Sequence, residues 1–388
     1  MRGLTVIPPD QPAGYGIVSA VLFTIGVVGV LVLGRRASRD GEYSALIEEY
    51  MTNDERIHLP DAPAISGLMF RRFRGAADYA PIVAVHEGSR EWDQVDPLSS
   101  REGVPTVDSL AASFGAVSSG TPDLLIAEVA GQVIGYNHVL WRWTEVTGTR
   151  VYLHLGYLLP AWRGKGIGQA MFHWSQARIR EIAAGEQTAG VKMLATNASS
   201  TEKEAGALIR ANGYIEVRRL SDMKLDPLSA LPPGALPAGV TRRPVHSDHY
   251  RSIYQALKDA YSDTWISTSE SEADYQEFLA EEIHISGFDP TLCQVAWATD
   301  QVVGLVWCHI RKGVGVIAEV AVRKAWKRRG IARALMVYGL EALREKGITQ
   351  VRLFTDAANE QGARSLYESL GFREVKQHIL YRKSLAEG

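Results

Sequence analysis

Along residues 66–225, and again along 240–385, short runs that alternate apolar and polar residues are separated by longer stretches whose apolar positions return every third or fourth residue. Alternation at a period of two predicts strands with one face buried, and return at three to four predicts amphipathic helices. In the earlier half the strands fall at Leu68–Arg74, Asp123–Val129, Val133–Trp143, Val151–Leu159, Lys192–Thr196 and Tyr214–Met223. Helices are expected through Tyr79–His86, from Gly166 to a stop at Gly185, and over Glu202–Ala211. In the later half the strands are Val240–Arg243, Gln294–Thr299, Val302–Ile310, Val314–Val322, Val351–Thr355 and Phe372–Arg382. Its helices are His246–Tyr261, Glu270–Glu282, one from Gly330 to near Gly347, and Glu360–Leu370. Gly131-Gln132 and Asp300-Gln301 read as hairpin turns. Mostly antiparallel strands with helices between them make an α+β fold.

The two halves repeat one another. Leu155–Met171 (LGYLLPAWRGKGIGQAM) aligns without a gap on Glu319–Leu335 (EVAVRKAWKRRGIARAL), which sets Trp162 on Trp326, Gly166 on Gly330 and Ile167 on Ile331. Each copy is followed by a helix, a strand, a polar loop, a second helix and a Gly-aromatic pair, Gly213-Tyr214 and Gly371-Phe372. A repeat of this size is a duplicated domain, because solenoid units are about 20–50 residues long. The expected organisation is a first domain over 66–226, a linker over 227–239 holding Pro227, Pro232, Pro233 and Pro237, and a second domain over 240–388.

Residues 1–65 stand apart as a hydrophobic helix and a polar linker. Gly16–Gly34 is an uncharged run followed at once by Arg35, Arg36 and Arg39. Its length matches a transmembrane helix, and the basic cluster would hold the rest of the chain in the cytoplasm. This stretch resembles the first transmembrane helix of the K subunit of the proton-pumping NADH:quinone oxidoreductases, and the likeness stops at that helix. A gene-fusion remnant would give the same pattern, and translation from Met51 would leave a soluble enzyme without it.

Composition narrows the function. A formal net charge of -2 gives no reason to expect nucleic acid as a partner. The two cysteines, Cys293 and Cys308, suit packing in a reducing compartment and cannot by themselves build a zinc site, and no metal is expected.

The repeated stretch carries the chemistry. A strand that runs through a basic, glycine-containing turn into a helix points unpaired backbone N–H groups and a positive dipole end at one spot, which suits phosphate. The turn is not a P-loop, since Gly164-Lys165-Gly166 lacks the spacing and the hydroxyl, and it misses the dinucleotide fingerprint by one position. What remains is Arg/Gln-x-x-Gly-x-Gly/Ala after a strand. It is filled by Arg163-Gly164-Lys165-Gly166-Ile167-Gly168 and by Lys327-Arg328-Arg329-Gly330-Ile331-Ala332.

On these motifs both repeats resemble the GNAT superfamily of acyl-CoA-dependent N-acyltransferases, over about 66–225 and 238–385. The resemblance implies that acetyl-CoA is the cosubstrate and that its pyrophosphate sits on the two loops. It implies too that the strand Val320–Val322 bonds the pantetheine arm and that Asn359 lies beside that arm. Within Asn359-x-x-x-Ala363-x-x-Leu366-Tyr367-x-x-x-Gly371-Phe372, Tyr367 takes the place of the family's general acid. Glu319 is the first candidate for the general base, ahead of Asp356, His309 and solvent. In the first repeat Ile209 stands where the second has Tyr367, and Thr201 falls near Asn359, so the second repeat is expected to catalyse and the first to be degenerate. His154 and His173 are read as packing or solvated side chains. The expected acceptor is a small-molecule amine, a peptide N-terminus or a lysine, chosen by the segment around Tyr261–Tyr275. The alternative is a non-catalytic acyl-CoA sensor or a membrane-anchored interaction protein.

Overall fold

A computed structural model describes residues 56–99, 102–115, 123–144, 148–186, 190–229, 231–262, 271–284, 288–358 and 362–386. The expected helix at 16–34 lies outside these residues; among those described, no helix is long and apolar enough to cross a membrane. The chain divides into two compact units, each of which is taken by itself below.

The N-terminal unit contains β1 (Leu68–Arg72), α1 (Ala76–Arg90), α2 (Val107–Gly115), β2 (Asp123–Val129), β3 (Gln132–Thr144), β4 (Arg150–Leu158), α3 (Ile167–Ala184), β5 (Lys192–Ser199) and α4 (Lys203–Ala211). Its strands lie in the order β1-β2-β3-β4-β5. The neighbours β1–β2 and β2–β3 are antiparallel and β4–β5 is parallel. One core packs α3 through Ile167, Ala170 and Met171 against Leu125 and Ile134, and another packs α1 and α2 through Ile82, Val85, Leu110 and Phe114 against Leu124 and Ile126. Adjacent residues of β2 serve opposite cores, as the pleat of a strand requires. A buried arginine, Arg71, ties β1 to α1 and β2 by bonds of 2.8 Å to both Asp78 and Glu128.

In the C-terminal unit follow β6 (Ile215–Leu225), β7 (Thr241–Arg243), α5 (Tyr250–Tyr261), α6 (Glu272–Phe278), β8 (Cys293–Ala298), β9 (Gln301–Arg311), β10 (Val314–Val322), α7 (Ile331–Glu345), β11 (Val351–Asp356), α8 (Ala363–Ser369) and β12 (Arg373–Ser384). The strand order here is β6-β11-β10-β9-β8-β7. The α7 stripe Leu335, Val337, Leu340 and Leu343 packs with Val306, Ile317, Val351 and Leu353 on one side of this sheet. The α5 stripe Ile253, Tyr254 and Leu257 packs with Val295, Leu305 and Trp307 on the other.

The compact units do not follow the repeat boundaries at their last strands. The C-terminal unit begins at Arg218 within β6, and β6 pairs antiparallel with β11 from Leu220↔Asp356 to Leu225↔Val351. The N-terminal unit takes in the chain from Leu380, where Tyr381 is wholly buried, its hydroxyl 3.2 Å from Arg210, and Leu385 N–H donates to Lys192 O at 2.9 Å. Hydrophobic period states which residues of a strand face a core and is silent on which sheet edge receives the strand.

Candidate active site

Both copies of the expected cradle have the strand–turn–helix build. In each, a short 3-10 turn, Pro160–Trp162 or Lys324–Trp326, follows the strand, and a glycine in the left-handed region starts the helix: Gly166 at φ 84 and Gly330 at φ 82. Neither helix start has a side-chain cap bond, so its first amides point outward. The turn also needs a left-handed residue two positions earlier. Gly164 supplies it in the first cradle at φ 69, and Arg328, which is not a glycine, in the second at φ 64. In both, a cation lies 4.7 Å from the centre of the matching indole ring, Lys165 over Trp162 and Arg329 over Trp326.

The two sites then diverge. In the C-terminal unit β10 and β11 are parallel only from Gly315↔Val351 to Ile317↔Leu353. Beyond that a bulge interrupts β10 between Ile317 and Glu319, and the strands part. A cavity of about 1070 Å³ opens in this fork, lined by Glu319–Val322 on one side, Phe354–Asp356 on the other, and Lys327, Arg328 and Gly330–Ala332 at the cradle. Arg218 and Asp356 form an ion pair in its wall. This size accommodates a long ligand.

Tyr367 and Glu319, far apart in sequence, both line the cavity. Glu319 is buried, and burial raises its carboxyl from the ordinary 4.5 to about 8; the negative charge of Glu282 adds to the rise and a bond from Tyr261 opposes it. That bond runs from the Tyr261 hydroxyl to Glu319 Oε2 at 2.7 Å, with Val320 O at 3.2 Å from the same hydroxyl. Burial and then the Glu319 charge raise the Tyr367 phenol, so it keeps its proton at neutral pH. Tyr261 is a site residue that the motifs do not mark, although its hydroxyl is the contact that joins α5 to the bulge. Its signal was a polar tip on the core-facing stripe Tyr250, Tyr254, Tyr261, where a buried hydroxyl calls for a partner. Val320 and Val322 line the cavity, and Arg329 is turned onto Trp326. Asn359 lies outside the described residues.

In the N-terminal unit the cradle's own arginine is engaged. Both terminal nitrogens of Arg163 bond Asp93 at 2.6 Å, and its Nε donates to Leu158 O at 2.9 Å. The Pro63 ring lies 3.6 Å from the point where a Cβ on Gly166 would sit. Ile209, at the Tyr367 position, is buried and offers no proton. His154 is buried with its Nε2 2.8 Å from the Tyr214 hydroxyl, and burial lowers it to about 3. His173 is at the surface, 2.6 Å from Asp61. Neither histidine lines the cavity.

The sequence model of the acetyltransferase (GNAT) family matches residues 90–200 and 250–372, more than half of the chain. Mycothiol acetyltransferase of Acidothermus cellulolyticus is 27% identical over 317 residues, covering 71% of this chain and 89% of its own. The protein of the same name from Thermobispora bispora is 27% identical over 314 residues, covering 79% and 96%. Among solved structures, a GCN5-related N-acetyltransferase from Sphaerobacter thermophilus superposes with a TM-score of 0.67 at 23% identity, over 85% of this chain and 98% of its own. A tandem GNAT protein from the clavulanic acid biosynthesis pathway gives 0.58 at 14% identity, over 83% and 99%. These two structural likenesses speak for the fold.

Proposed function

Because the chain belongs to the GNAT family of N-acetyltransferases, we propose that its C-terminal unit moves the acetyl group of acetyl-CoA onto a primary amine by direct attack, with Tyr367 as general acid and Glu319 as general base. The observation that carries this reading is the meeting of Tyr367, Glu319 and the parted strands at one cavity wall beside a phosphate cradle.

The residues fit acetyl-CoA. The outward amides at Gly330–Ala332 and the charges of Lys327 and Arg328 suit a pyrophosphate, and the edge of β10 at Val320–Val322 suits an amide-bearing arm. Bound there, acetyl-CoA supplies a thioester carbonyl open to attack. Glu319 would take a proton from the acceptor's ammonium group, which a carboxyl poised near neutrality does better than one at its ordinary value. Tyr367 would hold its proton until sulfur leaves and donate it then. The N-terminal unit, with Arg163 neutralised by Asp93 and Ile209 in the acid's position, serves as structure.

The relatives named for mycothiol make a mycothiol-type small molecule the first acceptor to assay, ahead of peptide N-termini and lysines. The test follows coenzyme A thiol release across a panel of such amines. Tyr367→Phe should lower turnover about 100-fold while leaving acetyl-CoA affinity within about twofold. Parent-level turnover in that variant removes Tyr367 from the mechanism. Acetyl-CoA binding with no release for any amine supports the sensor reading instead.

A further inference from the structure

Acetyl transfer to an ammonium group leaves a proton over. In R–NH3+ plus CH3CO–S–CoA giving CH3CO–NH–R plus HS–CoA plus H+, an N–C bond forms and a C–S bond breaks. Nitrogen loses two protons; one ends on sulfur and the other has to leave the protein. If Glu319 receives that second proton, as proposed above, it must discharge it in every cycle from a position 8% exposed, with the Tyr261 hydroxyl against one carboxylate oxygen.

We propose that Glu282 and His309 form the exit for this proton, with His309 as the group that exchanges it with solvent. The register of β9 and β10 pairs Glu319 with Trp307, and paired residues of antiparallel strands share a face. His309 is two residues from Trp307 and therefore points to the same face, toward α5 and α6. On that face the helical turn Leu279–Ile283 that continues α6 brings in Glu282, with its Oε2 3.8 Å from His309 Nε2. Glu282 is near enough to Glu319 for its charge to help raise that carboxyl. Exposure increases outward along the path, from 9% for the Glu282 side chain to 14% for His309.

The titratable groups around Glu319 divide by element: Tyr261 from α5, Tyr367 from α8, Glu282 from the turn after α6, and His309 from β9. The two phenols are raised by burial and hold their protons. That leaves the carboxylate and the imidazole, and imidazole is the side chain suited to exchange protons with buffer near neutral pH. A gap of 3.8 Å is wider than a direct hydrogen bond and takes a bridging water or a small side-chain rotation.

The test uses the full chain, with acetyl-CoA and an amine that the parent acetylates. His309→Gln should lower kcat about tenfold in dilute buffer, with KM for acetyl-CoA unchanged, and added imidazole should restore it. Glu282→Gln, an isosteric change, should show the same loss with weaker rescue. Parent kcat in both variants, or a loss that imidazole does not mend in His309→Gln, would each overturn the exit. Glu319→Gln separates this from the base assignment. Parent-level turnover there ends both readings, whereas an inactive Glu319→Gln beside a fully active His309→Gln ends only the exit.

Discussion

Glu319 is a carboxyl placed where a carboxylate is costly. Its folded value near 8 against the ordinary 4.5 means that the folded state binds a proton that the unfolded chain releases over that interval. The sign follows directly: from pH 4.5 to about 8 this group lowers stability progressively, and above 8 the full cost is present. Catalysis has the opposite dependence under the proposed role: Glu319 acts as base only when ionised, so kcat/KM should climb along a limb centred near pH 8. Tyr261→Phe removes a bond that favours the ionised form, so the limb should move to higher pH, by about one unit for a hydrogen bond to a charged group. A pH–rate profile checks this, and a limb that stays in place or moves down would separate Tyr261 from Glu319. Tyr367 and Glu319, the two residues proposed for the chemistry, were picked out in the sequence because each sits at a fixed distance from a motif that occurs twice. Tyr261 was not: an aromatic on an apolar stripe reads as core, and its second role exists only where the β10 bulge turns Glu319 toward α5.

Among the elements, the strand–turn–helix cradle was the most readable, down to the glycine that begins the helix. A motif shows which residue types are present but not the dihedral each adopts. Arg328 holds a left-handed conformation that its first-repeat counterpart assigns to Gly164, a strain of about 1–2 kcal/mol for a residue with a Cβ. Arg328→Gly should therefore stabilise the folded protein by about 1 kcal/mol, seen as a higher urea midpoint, while weakening acetyl-CoA binding through loss of a cation. A fall in both would show that Arg328 contributes more to packing than its backbone costs. Helix α2 has no counterpart among the elements expected from the sequence. Its text, VDSLAASFG, is short and rich in small residues, so the burial of Leu110 and Phe114 leaves little periodic trace.

At the scale of the whole molecule, the duplication was plain in the sequence, the divider at 227–239 was read from its prolines alone, and the membership of the closing strands was not legible. β6 precedes that divider yet pairs with β11, and its Asp222 lies 3.4 Å from the buried guanidinium of Arg352. A fragment that starts at Gly239 lacks both strand and carboxylate. It should be less stable than one that starts at Ile215 by more than about 3 kcal/mol, because the core loses the buried side chains of Met223, Leu225 and Leu228. Urea denaturation of the two fragments decides it, and equal midpoints would make β6 dispensable to the C-terminal unit.

The residues from Leu380 onward belong with the N-terminal unit, and this bears on the order in which the protein can form. A ribosome delivers Leu68 to Val217 early, but that unit must wait for the whole stretch from Arg218 to Ile379 to be made before Tyr381 and Leu385 arrive to fill their places. Domains that fold during translation usually complete in the order they are made. Here the first to emerge is among the last to close, so its unfinished edge stays open to chaperones, or to a neighbouring nascent chain, for much of the time the polypeptide is being made.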